Sequence, residues 1–415
     1  MNRKVLVLSG LALFGLALSA CGAADFECDD PVGCVSYASD EPVHLASMLT
    51  ISGATAFLGV DSNGGIEIAL DDRDNQLLGH DIVLTKEDSL CSAEGGQTAA
   101  TKVASDPTIV GVIGTNCSSA MTAAMDTLTG AGLSIISPSN TAPALTLENG
   151  TWKEGYFRAC HTDLFQGSVA AEFAFNELGA RTLATIHDGS PYADQLQQVM
   201  SGVFEDLGGT VTFQGAINVG DTDMRAVLTS AAADSPDVLY FPIFQPEGDF
   251  MVQQSSEIDG LENTILMGAD GLMVAGFAPS AGPNAIGMYL SGPFVSGASY
   301  DEFLTKWDTK YGGVPPSAFH AFAYDGTNIM LDAIEAVAVE DDDGTIHIGR
   351  DALRKAMAAT SGFQGLTGLM DCGTKEFAAG TSNGDCATGE ALGIFQLTSA
   401  EVDDENWPPE AIYTP

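Results

Sequence analysis

The chain has 415 residues, 47 of them glycine, and carries 56 acidic against 15 basic side chains, a net charge of −41. That length supplies two α/β lobes with cores of their own, and a field of that sign argues against nucleic acid and anionic membrane surfaces as partners.

At the N-terminus, Arg3-Lys4 precedes a short apolar run that ends in Leu18-Ser19-Ala20-Cys21. This reads as a signal peptide over 1–20, too short to be a stable membrane span. Its last four residues resemble the bacterial lipobox, in which the cysteine is lipidated and becomes the first mature residue. Residues 21–41 are small and acidic and read as a tether, where Cys28 and Cys34 are placed to close a small loop.

A first series of elements follows. A strand over 43–49 leads into a small-residue turn over 50–59, then a helical pattern over 60–71 interrupted by Gly64-Gly65. A strand over 81–85 and a helix over 97–104 come next. The β-branched run 109–113 is a buried parallel strand closed by Gly114. Thr115-Asn116-Cys117-Ser118-Ser119 then places small polar residues where a helix over 120–128 begins, and a strand over 133–136 ends in Ser137-Pro138-Ser139-Asn140-Thr141. Two strand ends thus offer hydroxyls and backbone N–H groups, one set at a helix N-terminus, an arrangement that holds a carboxylate or phosphate. Ligands of open α/β sheets bind at such ends. No nucleophile stands with its base here, so the stretch is built to bind.

A second series starts near 162. It runs through a helix over 167–178, a strand over 182–186 ending in His187-Asp188 and Tyr192, and a helix over 193–207. Strands over 210–213, 238–243, 264–267 and 285–290 follow; the middle two end at Phe244-Gln245-Pro246-Glu247 and Gly268-Ala269-Asp270-Gly271. Alternating strands and helices mean parallel sheets, and two series mean two lobes. Helices over 300–311, 318–338 and 349–359, a β-rich piece ending at 391–397, and an acidic surface tail from 399 complete the chain.

Eight cysteines remain to be sorted. Cys21 is assigned to lipid. Cys91 and Cys117 flank a helix–strand pair that a bridge can span, Cys372 and Cys386 bracket a glycine-rich loop, and Cys160 is left as a buried thiol. None has zinc-site spacing, and no cofactor or metal is expected. Asp71-Asp72-Arg73-Asp74-Asn75 lacks the glycine and terminal glutamate of a calcium loop. The acidic run at 340–344 reads as an exposed loop. Cys160-His161 is sequence adjacency without an oxyanion site, and the Asn149-Gly150-Thr151 sequon is discounted beside a bacterial lipobox.

With these residues in hand, the chain resembles the type I periplasmic binding proteins of the branched-chain amino-acid class, the receptors of ABC importers, over roughly 42–398. The marks are Val112-Ile113-Gly114 with Cys117-Ser118-Ser119, the run from Ile136 to Pro143, Phe157-Arg158 before Asp163 and Gln166-Gly167, Ile186-His187-Asp188 with Tyr192, and Pro246-Glu247. The resemblance implies two doubly wound lobes joined by crossovers: 42–161 with 294–365 as one, 162–293 with 366–398 as the other, and 399–415 as a tail. Ligand would be captured by hinge closure. The family's first-lobe disulfide matches Cys91 and Cys117.

Position by position, the resemblance gives Ser118 the ligand carboxylate, and Ser139 and Thr141 the α-amino-acid head. Tyr192 becomes the aromatic that closes from the second lobe, Phe244 an aromatic wall, and Asp270 the partner of the ligand ammonium. Two positions depart from the family. Asp270 is one methylene shorter than the usual glutamate, so the ammonium must sit deeper or meet it through water. Phe244 lacks the hydroxyl of the usual tyrosine. Phe57 is assigned to core packing rather than to the ligand. The implied function is that of a lipid-anchored receptor in the cell envelope, not an enzyme, delivering an amino acid to a membrane permease. The alternative is a sensory protein of the same fold that signals through a membrane partner.

Overall fold

The computed structural model describes residues 26–389 and 391–415; the signal segment and Cys21 lie outside them. The first lobe is built on a six-stranded sheet in the spatial order Gln76–Leu77, His80–Asp88, Val43–Leu49, Ile109–Gly114, Ser134–Ser137 and Tyr156–Arg158. All its pairings are parallel except the first hairpin. Every residue of Ile109–Gly114 is buried, as a central strand covered on both faces requires. Helices Ala93–Ala104 and Ser118–Gly130 cover one face, and Ala56–Asp71 and His320–Val337 the other. The second lobe carries seven strands in the order Ala411–Tyr413, Leu392–Gln396, Tyr289–Pro293, Ile265–Gly268, Val238–Phe241, Thr182–His187 and Thr210–Ala216. Its last five are parallel and its first two antiparallel additions.

The helix expected at 60–71 begins at Ala56 and runs unbroken to Asp71. Gly64 and Gly65 do not interrupt it; they let it approach its neighbours. A Cβ on Gly64 would stand 2.2 Å from the Trp307 ring, and one on Gly65 2.1 Å from the His320 carbonyl oxygen. The helix expected from 167 starts at Asp163, and its last turn, Phe173–Glu177, widens to π geometry. The strand expected over 285–290 arrives later, at Tyr289–Pro293.

Three segments pack differently from the reading of the sequence. Part of the 21–41 tether is structure: Cys34–Tyr37 pairs antiparallel with Ile346–Gly349. Asp30 there accepts hydrogen bonds from the Asp351 and Ala352 N–H groups, at 3.0 Å each to Oδ2. It caps helix Arg350–Ala358, whose own N-cap, Gly349, has no side chain for the task. The piece placed in the second lobe from 366 belongs with the first as far as Cys386, because Met370, Cys372 and Cys386 sit in the first core. Asp385 is also the counter-ion of the fully buried Arg158. The 399–415 tail is no loose extension. Its helix Ser399–Val402 starts in a Thr398/Glu401 capping box, and Ala411–Tyr413 adds a strand to the second sheet.

Cysteines pair as Cys28–Cys34, Cys91–Cys117 and Cys372–Cys386, with Cys160 a buried free thiol. Among the described residues no group of His, Cys, Asp and Glu is set to hold a metal. Asp71 and Asp72 instead pair with Lys310 and Lys306 at 2.5 and 2.6 Å. No described helix is long and apolar enough to cross a membrane.

Candidate functional site

The carboxyl ends of the two parallel sheets face one narrow cavity, lined by Leu58, Asn116, Cys117, Ser118, Ser139 and Phe319 from the first lobe and by Tyr192, Phe244, Asp270 and Gly271 from the second. The structure therefore brings together five of the six residues singled out in the sequence. The sixth, Thr141, lies fully buried in the same turn as Ser139 rather than on the cavity wall.

On the first-lobe side, Ser118 is the first residue of helix Ser118–Gly130, and no side chain caps that helix start. Its unmet N–H groups and the positive end of the helix dipole meet at the cavity, where an anion is favoured. The Cys91–Cys117 bridge fixes the residue just before it, and the Ala142 N–H donates to the Ser118 hydroxyl at 3.3 Å. Asn116 is the brace of this wall. Its side-chain oxygen accepts from Thr50 N–H at 2.9 Å, while its amide donates to Ser62 Oγ at 2.9 Å and Ser139 Oγ at 3.2 Å. Ser139 returns a bond to the Asn116 carbonyl at 3.1 Å. Behind the turn, Arg158 donates to the Asn140 and Ala142 carbonyls at 2.9 Å each, to Thr146, and to Asp385. Its charge is thereby consumed in holding the turn.

On the second-lobe side, Asp270 is 4 % exposed. It accepts from Gln166 Nε2 at 2.7 Å and from the Tyr192 hydroxyl at 2.8 Å, both on Oδ1, which leaves Oδ2 for a ligand. Tyr192 in turn accepts from the Gly271 N–H at 3.1 Å and lies 5.1 Å, ring to ring, from Phe244. The Gln166 amide oxygen faces His161 Nε2 at 2.6 Å; an amide oxygen only accepts, so His161 carries its proton on Nε2. Burial pushes the Asp270 carboxyl up to about 6, and its two hydrogen bonds pull it partly back. Burial, with the Asp270 charge behind it, raises the Tyr192 phenol, so that group stays a donor. Burial holds His161 down at about 4, so its ring is neutral.

A helix start with hydroxyls thus faces a desolvated carboxylate across a narrow gap. Such a pair complements a zwitterion, which would otherwise lose hydration at both charges. Asn116 and Gln166 lay in motifs already singled out but had no role assigned. Leu58 and Phe319 carried no signal in the sequence, since an apolar residue on a helix reads as core. Phe57 packs against the cores of both lobes.

The family model described as periplasmic binding protein matches residues 42–383. The chain belongs to that family. Among relatives of this periplasmic binding protein, the Leu/Ile/Val-binding protein homolog 1 of Brucella suis is 27 % identical over 296 residues, 71 % of this chain and 78 % of that one. The leucine-binding protein LivK of Thermotoga maritima superposes with a TM-score of 0.77 at 23 % identity, covering 90 % of this chain and 99 % of its own. The branched-chain amino-acid binding protein LivJ of Streptococcus pneumoniae, solved with isoleucine, gives 0.74 at 21 % identity, covering 90 % and 100 %. These likenesses are to solute-binding proteins rather than enzymes, and they show the type I two-lobed fold.

Proposed function

We propose that this periplasmic binding protein captures an α-amino acid, branched-chain or closely related, between its lobes and delivers it to an ABC permease, held at the cell envelope by a lipid on Cys21. The observation that carries the reading is the pairing of an uncapped helix start at Ser118 with the open oxygen of Asp270 across one small cavity. The names of the relatives support the amino-acid class. In this reading the ligand carboxylate takes the N–H groups and hydroxyl at Ser118, and Ser139 holds the head from the turn in which Thr141 is buried. Asp270 takes the ammonium, and Tyr192 and Phe244 close over it. No bond is made or broken; the closed form is the signal the permease reads, and ligand shifts the population toward it.

Calorimetric titration of the protein lacking residues 1–21 with a panel of L-amino acids, amides and polyols tests this. Tight binding confined to aliphatic L-amino acids is the expected result; binding only of uncharged solutes would overturn the reading. The anchor has its own test. The mature protein should carry the mass of a diacylglyceryl group on Cys21, absent in Cys21→Ser.

A further inference from the structure

A second cavity, of about 130 Å³, shares two wall segments with the amino-acid site. Asp270 and Gly271 line the amino-acid site while Met273 lines the second cavity; Phe319 lines the first while Ala318 and His320 line the second. Both lobes contribute. Met273 and Trp407 pack with the second-lobe core, Tyr300 and Leu304 pack on the first lobe with Ile68, Phe303 and Trp307, and Phe294 lies on the stretch that leaves strand Tyr289–Pro293 for helix Ala298–Tyr311. Trp407, Pro408 and Pro409 join the wall from beyond residue 398, so the segment read as a surface tail builds part of a cavity. Val314, 54 % exposed, stands at its mouth.

The lining is mostly apolar, and each polar side chain on it already has a partner within the protein. The Tyr300 hydroxyl and His320 Nε2 meet at 2.7 Å, and His320 Nδ1 meets Asp61 Oδ1 at 2.9 Å. The Trp407 indole N–H donates to the Pro315 carbonyl at 3.0 Å, and the Ser317 hydroxyl to the Met273 carbonyl at 3.4 Å. A polar guest would lose its hydration here and find no free side-chain partner, whereas an apolar one gains by leaving water. Size sets the other limit: an engineered apolar cavity of about 150 Å³ stays dry and takes benzene. We propose that this cavity is a second ligand site, taking one small apolar molecule of about the size of a benzene ring, and that its occupancy is coupled to the amino-acid site. Beside it the Ala275 N–H donates to the Pro316 carbonyl at 3.1 Å, joining second lobe to first. A guest held by both lobes favours the arrangement in which they meet, the same one that sets Ser118 opposite Asp270. Each ligand then tightens the other by the same factor. The site stands apart from the amino-acid reading; only the coupling rests on it.

Benzene is the probe. It should bind the protein lacking residues 1–21 saturably, read by ligand-observed NMR, and at saturation it should tighten L-leucine by about fivefold or more, with the reciprocal gain for benzene. Leu304→Trp fills the cavity from its wall and should abolish benzene binding while L-leucine still binds. Trp407→Ala removes the indole from the opposite lobe; it guards against a folding failure of the first variant and should weaken benzene as well. Benzene that does not bind, that binds both variants like the parent, or that L-leucine displaces overturns the site. Benzene that binds here and leaves the L-leucine affinity unchanged overturns the coupling. A parent that binds no α-amino acid overturns the reading of the first cavity, and loss of benzene in the two variants would still uphold the second.

Discussion

Asp270→Asn separates what this carboxylate costs the fold from what it gives the ligand. The amide oxygen of Asn still accepts from Tyr192 and Gln166, so the geometry at 2.7 and 2.8 Å is retained and only charge is removed. In the parent, burial raises this carboxyl from 3.8 to about 6. A group whose folded value lies above its unfolded value favours folding most at low pH, and that advantage is lost as pH rises from the unfolded value through the folded one. About two units correspond to roughly 3 kcal/mol at pH 7. The variant should therefore be more stable than the parent by up to about 3 kcal/mol at pH 7, and the gap should close near pH 4. Ligand affinity should move the other way. Leaving an ammonium buried without its charged partner costs about 2–4 kcal/mol, or roughly thirty- to a thousand-fold in Kd. Urea unfolding at the two pH values and calorimetric titration with L-leucine read both effects. A variant less stable at pH 7, or one that binds within threefold of the parent, refutes the reasoning.

Other consequences are less involved. Arg158→Met leaves Asp385 buried and uncompensated and should destabilise by about 3–5 kcal/mol, read as a fall in the urea midpoint. In the parent, Arg158 holds the Asp385 carboxyl below its ordinary range against the pull of burial. That contribution is present above the unfolded carboxyl value and is lost as pH falls through the depressed folded one, so the parent–variant gap should narrow in strong acid. Gly64→Ala drives a methyl into the Trp307 ring and should cost about 1–3 kcal/mol despite alanine's helix preference; a neutral result would contradict the close approach. With a net charge of −41, screening of self-repulsion should raise Tm steadily from about 0.05 to 1 M NaCl, and a flat profile would show that the acidic surface carries no such burden.

Much of the fold was legible because parallel strands buried on both faces declare themselves as β-branched runs, as at Ile109–Gly114, and because polar turns at their ends mark where ligands bind. Ser118, Ser139, Tyr192, Phe244 and Asp270 all reach the cavity wall from such turns. What stayed hidden depends on contacts distant in sequence. Asp385 meets Arg158 across 227 positions, and that ion pair draws the 366–386 piece onto the first lobe. Asp30 caps a helix 321 positions away, which turns an apparent tether into structure. Gly64 and Gly65 looked like a break because the Trp307 and His320 surfaces they admit are on other helices. Gln166 was visible as a motif residue, but its hold on Asp270 is a property of three-dimensional surroundings.

The most direct measurement of the central claim is a crystal structure with L-leucine bound. The ligand carboxylate should rest on the N–H groups and hydroxyl at the Ser118 helix start, with its ammonium in hydrogen-bond reach of Asp270. A reversed ligand, with its carboxylate turned toward Asp270, or one seated outside this cavity, would contradict the account.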